Sequence, residues 1–311
     1  MKPKILISTS SFGQTDVRPV EMLNSSGVEY VMNPYGRKLK REETVSLLRD
    51  MDGLIAGTEM LDKEILKQFP KLGVISRCGT GTDNIDMNAA DEFGIRIFNT
   101  PDAHVNAVAE LTLAGILDLL RSVSYADRII RQKGWEKPMG KLLREKTVGI
   151  IGMGRVGKAL AILLQPFKNT IFTYDVYEDK KFAEQYGICY STLNDLLMKS
   201  DIVTLHMPYH DSFYHFLDRS RLASVKKGAF VVNCGRGGLI DEQALYEFLK
   251  EHRIGGAYID TFEKEPYQGP LIELPNVILT PHIGSYAAEC RTAMEIQAVE
   301  NLLQFFQRKE K

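Results

Sequence analysis

The sequence predicts an α/β protein built from two doubly wound parallel-sheet units, and three observations carry that expectation. Short β-branched runs alternate with helix-length amphipathic stretches along the whole chain, the pattern of parallel strands joined by crossover helices. A length of 311 residues suits about two domains at the usual one to two hundred residues each. The strand candidates also fall into two series, separated by one long helical pattern.

Taken in order, the first series places strands over 5–9, 28–32, 54–56, 73–77 and 96–99, with helical patterns around 17–24, 41–50, 62–68 and 86–93. These five strands complete one doubly wound unit. The run VNAVAELTLAGILDLLR follows Thr100, Pro101 and Asp102, where Asp102 or the residues just after it can cap the first turn. The second series covers 148–151, 170–175, 202–206, 229–233, 255–260 and 277–280, six strands in all. A final amphipathic helix over 287–307 is long enough to return to the first unit. The expected domains are therefore 1–101 with 285–311, and 102–284 inserted between them.

Composition narrows the function classes. Apolar residues make up 44% and charged residues 25%, ordinary for a globular chain and unlike a disordered one. The formal charge is −1, so no basic excess exists to hold a polyphosphate or an anionic bilayer, and neither nucleic acid nor membrane is an expected partner. The longest apolar runs, 111–117 and 159–164, are far shorter than the ~18 to 20 residues a bilayer requires. The opening MKPKILISTS reads as a first strand and not as a secretory signal, which makes the cytoplasm the expected compartment. Cys78, Cys189, Cys234 and Cys290 show no CxxC or Cys/His spacing, so they are read as reduced, packed thiols with no metal site.

The first chemical signal is KTVGIIGMGRVGKALAILLQPF, which sets Gly152, Gly154 and Gly157 in a GxGxxG arrangement after a strand and at the start of a helix. The first glycine permits the tight turn, the second lets backbone approach a pyrophosphate, and the third allows close packing of helix on strand. The following strand ends in Asp175, eighteen residues after Gly157, where a carboxylate can accept from adenosine ribose hydroxyls and repel a 2′-phosphate. This is a Rossmann-type signature for NAD in preference to NADP, although Lys180 and Lys181 lie a little further on.

Three later segments, VVNCGRGGLID, AYIDTFEKEP and VILTPHIGS, deliver Arg236, Glu265 and His282 just beyond strand ends. Ligands of doubly wound sheets bind outside the carboxyl ends of the strands. An arginine offers a planar fork to a carboxylate or polarised carbonyl, and a histidine exchanges protons near neutral pH, favoured in its protonated form by a neighbouring carboxylate. Together these groups suit hydride transfer to a 2-oxo acid.

These motifs, with RCGTGTDNID at 77–86, NTPDAHVNAVAEL at 99–111, NCGRGGLIDE at 233–242, FEKEP at 262–266 and PHIGS at 281–285, resemble those of the D-isomer-specific 2-hydroxyacid dehydrogenases in order and spacing. The resemblance covers nearly the whole chain and implies a flavodoxin-like substrate domain carrying an inserted Rossmann NAD domain. It implies His282 as general acid and base, Glu265 as its partner, and Arg236 as the group binding the substrate carboxylate and carbonyl. It further implies NAD contacts from Thr100, Gly152, Gly154, Arg155, Val156, Gly157, Asp175, His206, Cys234, Gly235, Asp260 and Gly284, with Asp260 on the nicotinamide carboxamide. Arg77, Cys78 and Gly79 are implied on the substrate side.

The RCGTGTDNID loop is closest to the phosphoglycerate-oxidising branch of that family, so D-3-phosphoglycerate is the expected substrate. Arg77 would reach its phosphate, and loop amides near Gly79 would hold its carboxylate. The alternative for Arg77 is a structural pair with Asp83 or Asp86. Glyoxylate or hydroxypyruvate is the alternative substrate. An NAD(H)-sensing protein resembling the transcriptional corepressors of this fold is the alternative of another class, because fold does not fix function. Formate dehydrogenase is disfavoured, since that relative typically has glutamine where Glu265 stands.

The chain also departs from the family pattern. Phe213 stands where a threonine is common, His215 where glycine is frequent, and Leu142 where glutamate is frequent in a shortened GWEKPMGKLLREKT stretch. His104 sits at a variable position, either tuning specificity or facing the helix interior. His210, His215 and His252 are read as surface histidines. The helix over 107–121 is more apolar than one domain face needs, so a homodimer through the nucleotide-binding unit is expected, as the resemblance also implies. The chain ends at Lys311, so the family's regulatory domain, and feedback through it, are not expected.

Overall fold

The structure, a computed structural model, describes residues 2–309. The chain forms two compact units, one from the residues up to His104 together with those from Tyr286 onward, the other Val105–Ser285.

In the first unit the alternating pattern becomes β1 (Lys4–Ile7), α1 (Arg18–Ser26), β2 (Glu29–Met32), α2 (Arg41–Leu48), β3 (Gly53–Ala56), α3 (Lys63–Leu66), β4 (Val74–Arg77), α4 (Met87–Glu92) and β5 (Arg96–Phe98). All strands pair in parallel in the order β2-β1-β3-β4-β5, the flavodoxin-like order. Helix starts are set by side chains that accept the first free amides: Asp62 takes the N–H of Ile65, and Asp86 that of Ala89. The apolar residues of β1, β3 and β4, such as Leu6, Leu54 and Ile75, form one core with Ile65 and Ala89.

The second unit begins with α5 (Val105–Arg121) and α6 (Val123–Arg131), followed by β6 (Thr147–Ile151), α7 (Arg155–Leu164), β7 (Thr170–Tyr174), α8 (Lys180–Tyr186), β8 (Ile188–Tyr190), α9 (Leu193–Lys199) and β9 (Ile202–Leu205). It closes with α10 (Arg219–Ser224), β10 (Phe230–Asn233), α11 (Glu242–Lys250), β11 (Gly256–Ile259) and β12 (Val277–Leu279). The parallel sheet runs β12-β11-β10-β9-β6-β7-β8, so the order reverses between β6 and β9, where such sheets bind ligands. Because side chains alternate across a strand, Val231 enters one core layer and Val232 the other. The last helix, α12 (Ala288–Lys309), belongs to the first unit. Its buried Glu295 accepts from the amide of Gly13 at 2.9 Å and from Arg291 at 3.0 Å.

Two elements depart from expectation. The second sheet has seven strands, not six: Ile188–Tyr190 adds an edge strand after Gly187, which ends α8 at φ +63°. Ser122, at φ +52°, interrupts the long helix and starts α6, whose sequence alone had suggested no separate element. Helix α5 itself is well used within its own unit. Val108, Ala109, Thr112, Gly115, Ile116, Leu119 and Leu120 are buried, whereas large exposed apolar side chains lie on α6 and after it.

Candidate active site

The nucleotide loop is shaped by what glycine lacks. Gly152 leaves β6 at φ +95°, and a Cβ there would stand 2.7 Å from the backbone carbonyl of His206. A Cβ on Gly157 would meet the carbonyl oxygen of Gly152 at 2.2 Å, so helix and strand approach as closely as they do only with glycine there. At Gly154 the same test finds no atom within 4 Å. That open position is the N-cap of α7, whose first amides have no side-chain cap. Arg155 is exposed and Val156 half-buried beside it.

Asp175 lies just past β7 and ties this loop to its own strand end. One carboxylate oxygen accepts from Met153 N–H at 2.6 Å and the other from Tyr177 N–H at 3.0 Å. A carboxylate offers about four acceptor sites, so two remain for ribose hydroxyls. The nearby Lys158 pairs with Asp179 at 2.5 Å, which neutralises a cation that would otherwise attract a 2′-phosphate. Open space over uncapped helix amides, next to a half-buried acid, fits a dinucleotide carrying a free ribose.

His206 directly follows β9, its amide donating to the Ile151 carbonyl and its Nε2 2.9 Å from Thr204 Oγ1. Its Nδ1 is buried without a hydrogen-bond partner, and burial lowers its pKa to about 4, so the imidazole is neutral at pH 7. Cys234 turns its thiol into the core, where burial pushes it up to about 12. Gly235 donates its amide to Asn233 Oδ1 at 3.1 Å. Any contact Cys234 makes with a ligand therefore comes from its backbone.

The catalytic candidates come from three strand ends of this unit. His282 and Glu265 are in direct contact, with Nδ1 3.0 and 3.1 Å from the two carboxylate oxygens. Both are partly exposed, at 46% and 40% of the side chain, and with Nδ1 turned to Glu265 the ring nitrogen left to meet a reactant is Nε2. Arg236 is half-buried, with Nη1 donating to the Gly235 carbonyl at 2.9 Å. Its loop lies against the Glu265 loop: a Cβ on Gly237 would fall 1.8 Å from the carbonyl oxygen of Phe262.

His282 adopts φ +54°, a left-handed conformation that costs a non-glycine residue energy unless the surroundings impose it. Asp260 imposes it. This fully buried carboxylate accepts from Ile283 N–H and Gly284 N–H, both at 2.9 Å, and from Thr280 Oγ1. The His282 amide donates to the carbonyls of Asp260 and Thr280, each at 2.9 Å. Asp260 and Gly284, inferred as nucleotide contacts, thus also build the turn that presents His282.

The first-unit candidates behave differently. Thr100 is completely buried, its hydroxyl accepting from Gly79 N–H at 2.9 Å. The Gly79 amide also points at the Arg77 carbonyl, so this amide is committed inside the loop. The guanidinium of Arg77 packs on Gly79, and its Nη1 donates to the Cys78 carbonyl. Cys78 is buried and its thiol pushed up to about 11 by desolvation. His104 bonds Thr80 Oγ1 at 2.7 Å and so serves this loop, not the helix interior.

Two further sequence readings change. His215 is not a plain surface histidine: its Nε2 lies 2.7 Å from Glu263, and at φ +51° it occupies a left-handed position that suits glycine. Phe213 packs on the core of the second unit. Cys189 is exposed, unlike the other three thiols, which are buried. Sequence reasoning missed Asn233, Thr280 and the buried Glu59, which accepts from the Ser8 hydroxyl. Each acts by holding another group in place, Asn233 the Arg236 carbonyl, Thr280 the Asp260 carboxylate and Glu59 the Ser8 hydroxyl, a role that residue type and spacing do not announce.

A doubly wound sheet with a dinucleotide loop at its switch point and a carboxylate-supported histidine beyond its strand ends defines a nicotinamide-dependent oxidoreductase fold. Residues 113–284 match the family model described as D-isomer specific 2-hydroxyacid dehydrogenase, NAD binding domain. A glyoxylate reductase of Pyrococcus horikoshii is 34% identical over 318 residues, covering 98% of this chain and 93% of that protein. A D-3-phosphoglycerate dehydrogenase of Methanocaldococcus jannaschii is 40% identical over 261 residues, 82% of this chain, which spans about half (50%) of that relative. The crystal structure of a glyoxylate reductase from Paecilomyes thermophila superposes with a TM-score of 0.86 at 28% identity, covering 97% of this chain and 94% of that one. The chain belongs to the D-isomer-specific 2-hydroxyacid dehydrogenase family, whose cofactor is NAD.

Proposed function

We propose that the chain interconverts a D-2-hydroxy acid and its 2-oxo acid, with His282 as the acid and base, Glu265 as its partner and Arg236 as the anchor of the substrate carboxylate and carbonyl. The contact between His282 and both oxygens of Glu265 carries this reading. NADH, when bound, supplies the hydride that reaches C2. In that direction His282 donates a proton from Nε2 to the developing alkoxide while Glu265 stabilises the imidazolium across Nδ1. Arg236 stabilises negative charge on oxygen. In the oxidative direction His282 takes the hydroxyl proton.

The preferred substrate in this reading is D-3-phosphoglycerate or its phosphorylated 2-oxo partner, on the strength of Arg77 at the end of β4. A second reading, reduction of glyoxylate or hydroxypyruvate, is favoured by the bond that holds Arg77 Nη1 to its own loop carbonyl. Specificity constants for the phosphorylated and unphosphorylated acids, with and without Arg77→Ala, separate them: equal loss on both makes Arg77 structural and removes the phosphate assignment. His282→Ala and Arg236→Ala should abolish most turnover while NADH fluorescence titration shows nearly unchanged binding. Normal activity in either variant refutes the assignment, and turnover as such excludes a purely sensing protein.

The same proposal includes a homodimer formed through the second unit. Val123, Ile130, Trp135, Met139 and Leu142 are exposed there, large apolar side chains that a second copy would cover. The cytoplasm is the proposed compartment, supported by four free cysteines.

A further inference from the structure

Tyr258 lies on β11 two residues before Asp260, so both side chains leave the same face of the strand. It is a tyrosine in a nearly dry place, 2% exposed, packed among Ile116, Leu120 and Val232 in one core layer of the second unit. A phenol there must find partners for its hydroxyl. It finds Thr280 Oγ1 at 3.0 Å, and the Cys234 thiol lies within hydrogen-bonding reach.

The direction of the chain follows from counting protons. Thr280 has one hydroxyl proton and gives it to Asp260 Oδ1 at 2.5 Å. Its oxygen must therefore accept from Tyr258, and the relay runs Tyr258 O–H to Thr280 O–H to Asp260. Asp260 in turn accepts the amides of Ile283 and Gly284, the two residues after His282, and so holds the turn that keeps His282 at positive φ. Burial and the neighbouring Cys234 thiol push the Tyr258 hydroxyl far above its ordinary titration range, so it stays a donor throughout working pH.

The ring is given room on purpose. A Cβ at Gly115 of α5 would fall 1.9 Å from Tyr258 Cδ1 and 2.4 Å from Cε1, so only glycine admits the ring at this depth. We propose that Tyr258 is a positioning residue for proton transfer: through Thr280 and Asp260 its hydroxyl fixes the turn that presents His282, and Gly115 is the residue that seats it. This rests on the reading of His282 as the acid and base. Tyr258 touches no reactant. It limits how far Asp260, and hence the His282 turn, can rotate.

The test compares Tyr258→Phe, which keeps the ring and removes the hydroxyl, with the parent. Loss of one supporting hydrogen bond should lower kcat about fivefold while KM for the 2-oxo acid changes less than about twofold. In the protein without ligand, hydrogen exchange at the Ile283 and Gly284 amides should accelerate severalfold. Thr280→Val should do the same. The double variant Gly115→Ala with Tyr258→Leu refills the space without a hydroxyl, so it should recover thermal stability but keep the kinetic defect. Parent kcat and parent exchange in Tyr258→Phe, or full activity in the double variant, overturn the proposal. His282→Ala is measured alongside: activity retained there defeats the catalytic reading, whereas loss there with normal Tyr258→Phe defeats only this inference.

Discussion

Replacing Glu265 with glutamine keeps the shape of the dyad and removes its charge. The carboxylate oxygens stand 3.0 and 3.1 Å from His282 Nδ1, and one also accepts from Phe262 N–H at 3.2 Å, a bond that the glutamine carbonyl can keep. Hydrogen bonds to charged groups contribute about 1.5–3 kcal/mol. With the two side chains 46% and 40% exposed, water and salt screen the pair, and the low end, about 1.5 kcal/mol, applies. That corresponds to about a tenfold lower kcat/KM for reduction near neutral pH.

The loss should fall on both directions alike, because at one pH the reaction equilibrium ties the two specificity constants together while cofactor binding is unchanged. Steady-state rates of reduction and oxidation, with NADH binding followed by fluorescence, provide the assay. A kcat/KM equal to that of the parent removes Glu265 as the partner of His282, and a loss matched by weaker NADH binding makes the effect one on the cofactor instead.

Asp175→Ala should loosen the preference for NAD over NADP, and because its carboxylate also holds Met153 N–H it should weaken NAD binding itself; equal use of both cofactors by the parent refutes the premise. His206 makes stability depend on pH. Its folded pKa of about 4 lies below the ordinary 6.5, so the unfolded chain binds more protons between those values, and stability falls as pH drops from about 6.5 to 4. The full loss is about 3 kcal/mol, readable as a falling urea midpoint, and an unchanged slope in His206→Gln would show that another group is responsible. Light scattering at micromolar concentration should give twice the monomer mass, with Trp135→Glu or Met139→Glu shifting it toward the monomer; a monomeric parent counts against the dimer.

Short-range pattern was enough for most of the secondary structure, because buried parallel strands must be apolar runs and crossover helices must be amphipathic. It failed at Ile188–Tyr190 and Ser122, where three residues or a single left-handed backbone position decide the element. The residues of the dyad and the nucleotide loop were legible by type and spacing, since hydride and phosphate chemistry admit few side chains at few positions. What the side chains do to one another was not. The same Asp260 reads in sequence as a ligand contact, and in the fold as a buried acceptor for two amides and a hydroxyl. Thr100 reads likewise as a cofactor contact and is found holding Gly79.

By itself, then, the sequence determined that this is a two-unit parallel α/β protein with a dinucleotide loop and an Arg, Glu and His set beyond its strand ends. Only the tertiary structure decided that His282 meets Glu265 through both oxygens, that its turn is set by Asp260, and that Gly115 makes room for Tyr258. The physical reason is range. Periodicity and motif spacing record the needs of a segment and its nearest neighbours, whereas a buried hydrogen bond or a missing Cβ is satisfied by whatever residue the fold brings within 3 Å, 143 positions away in the case of Gly115 and Tyr258.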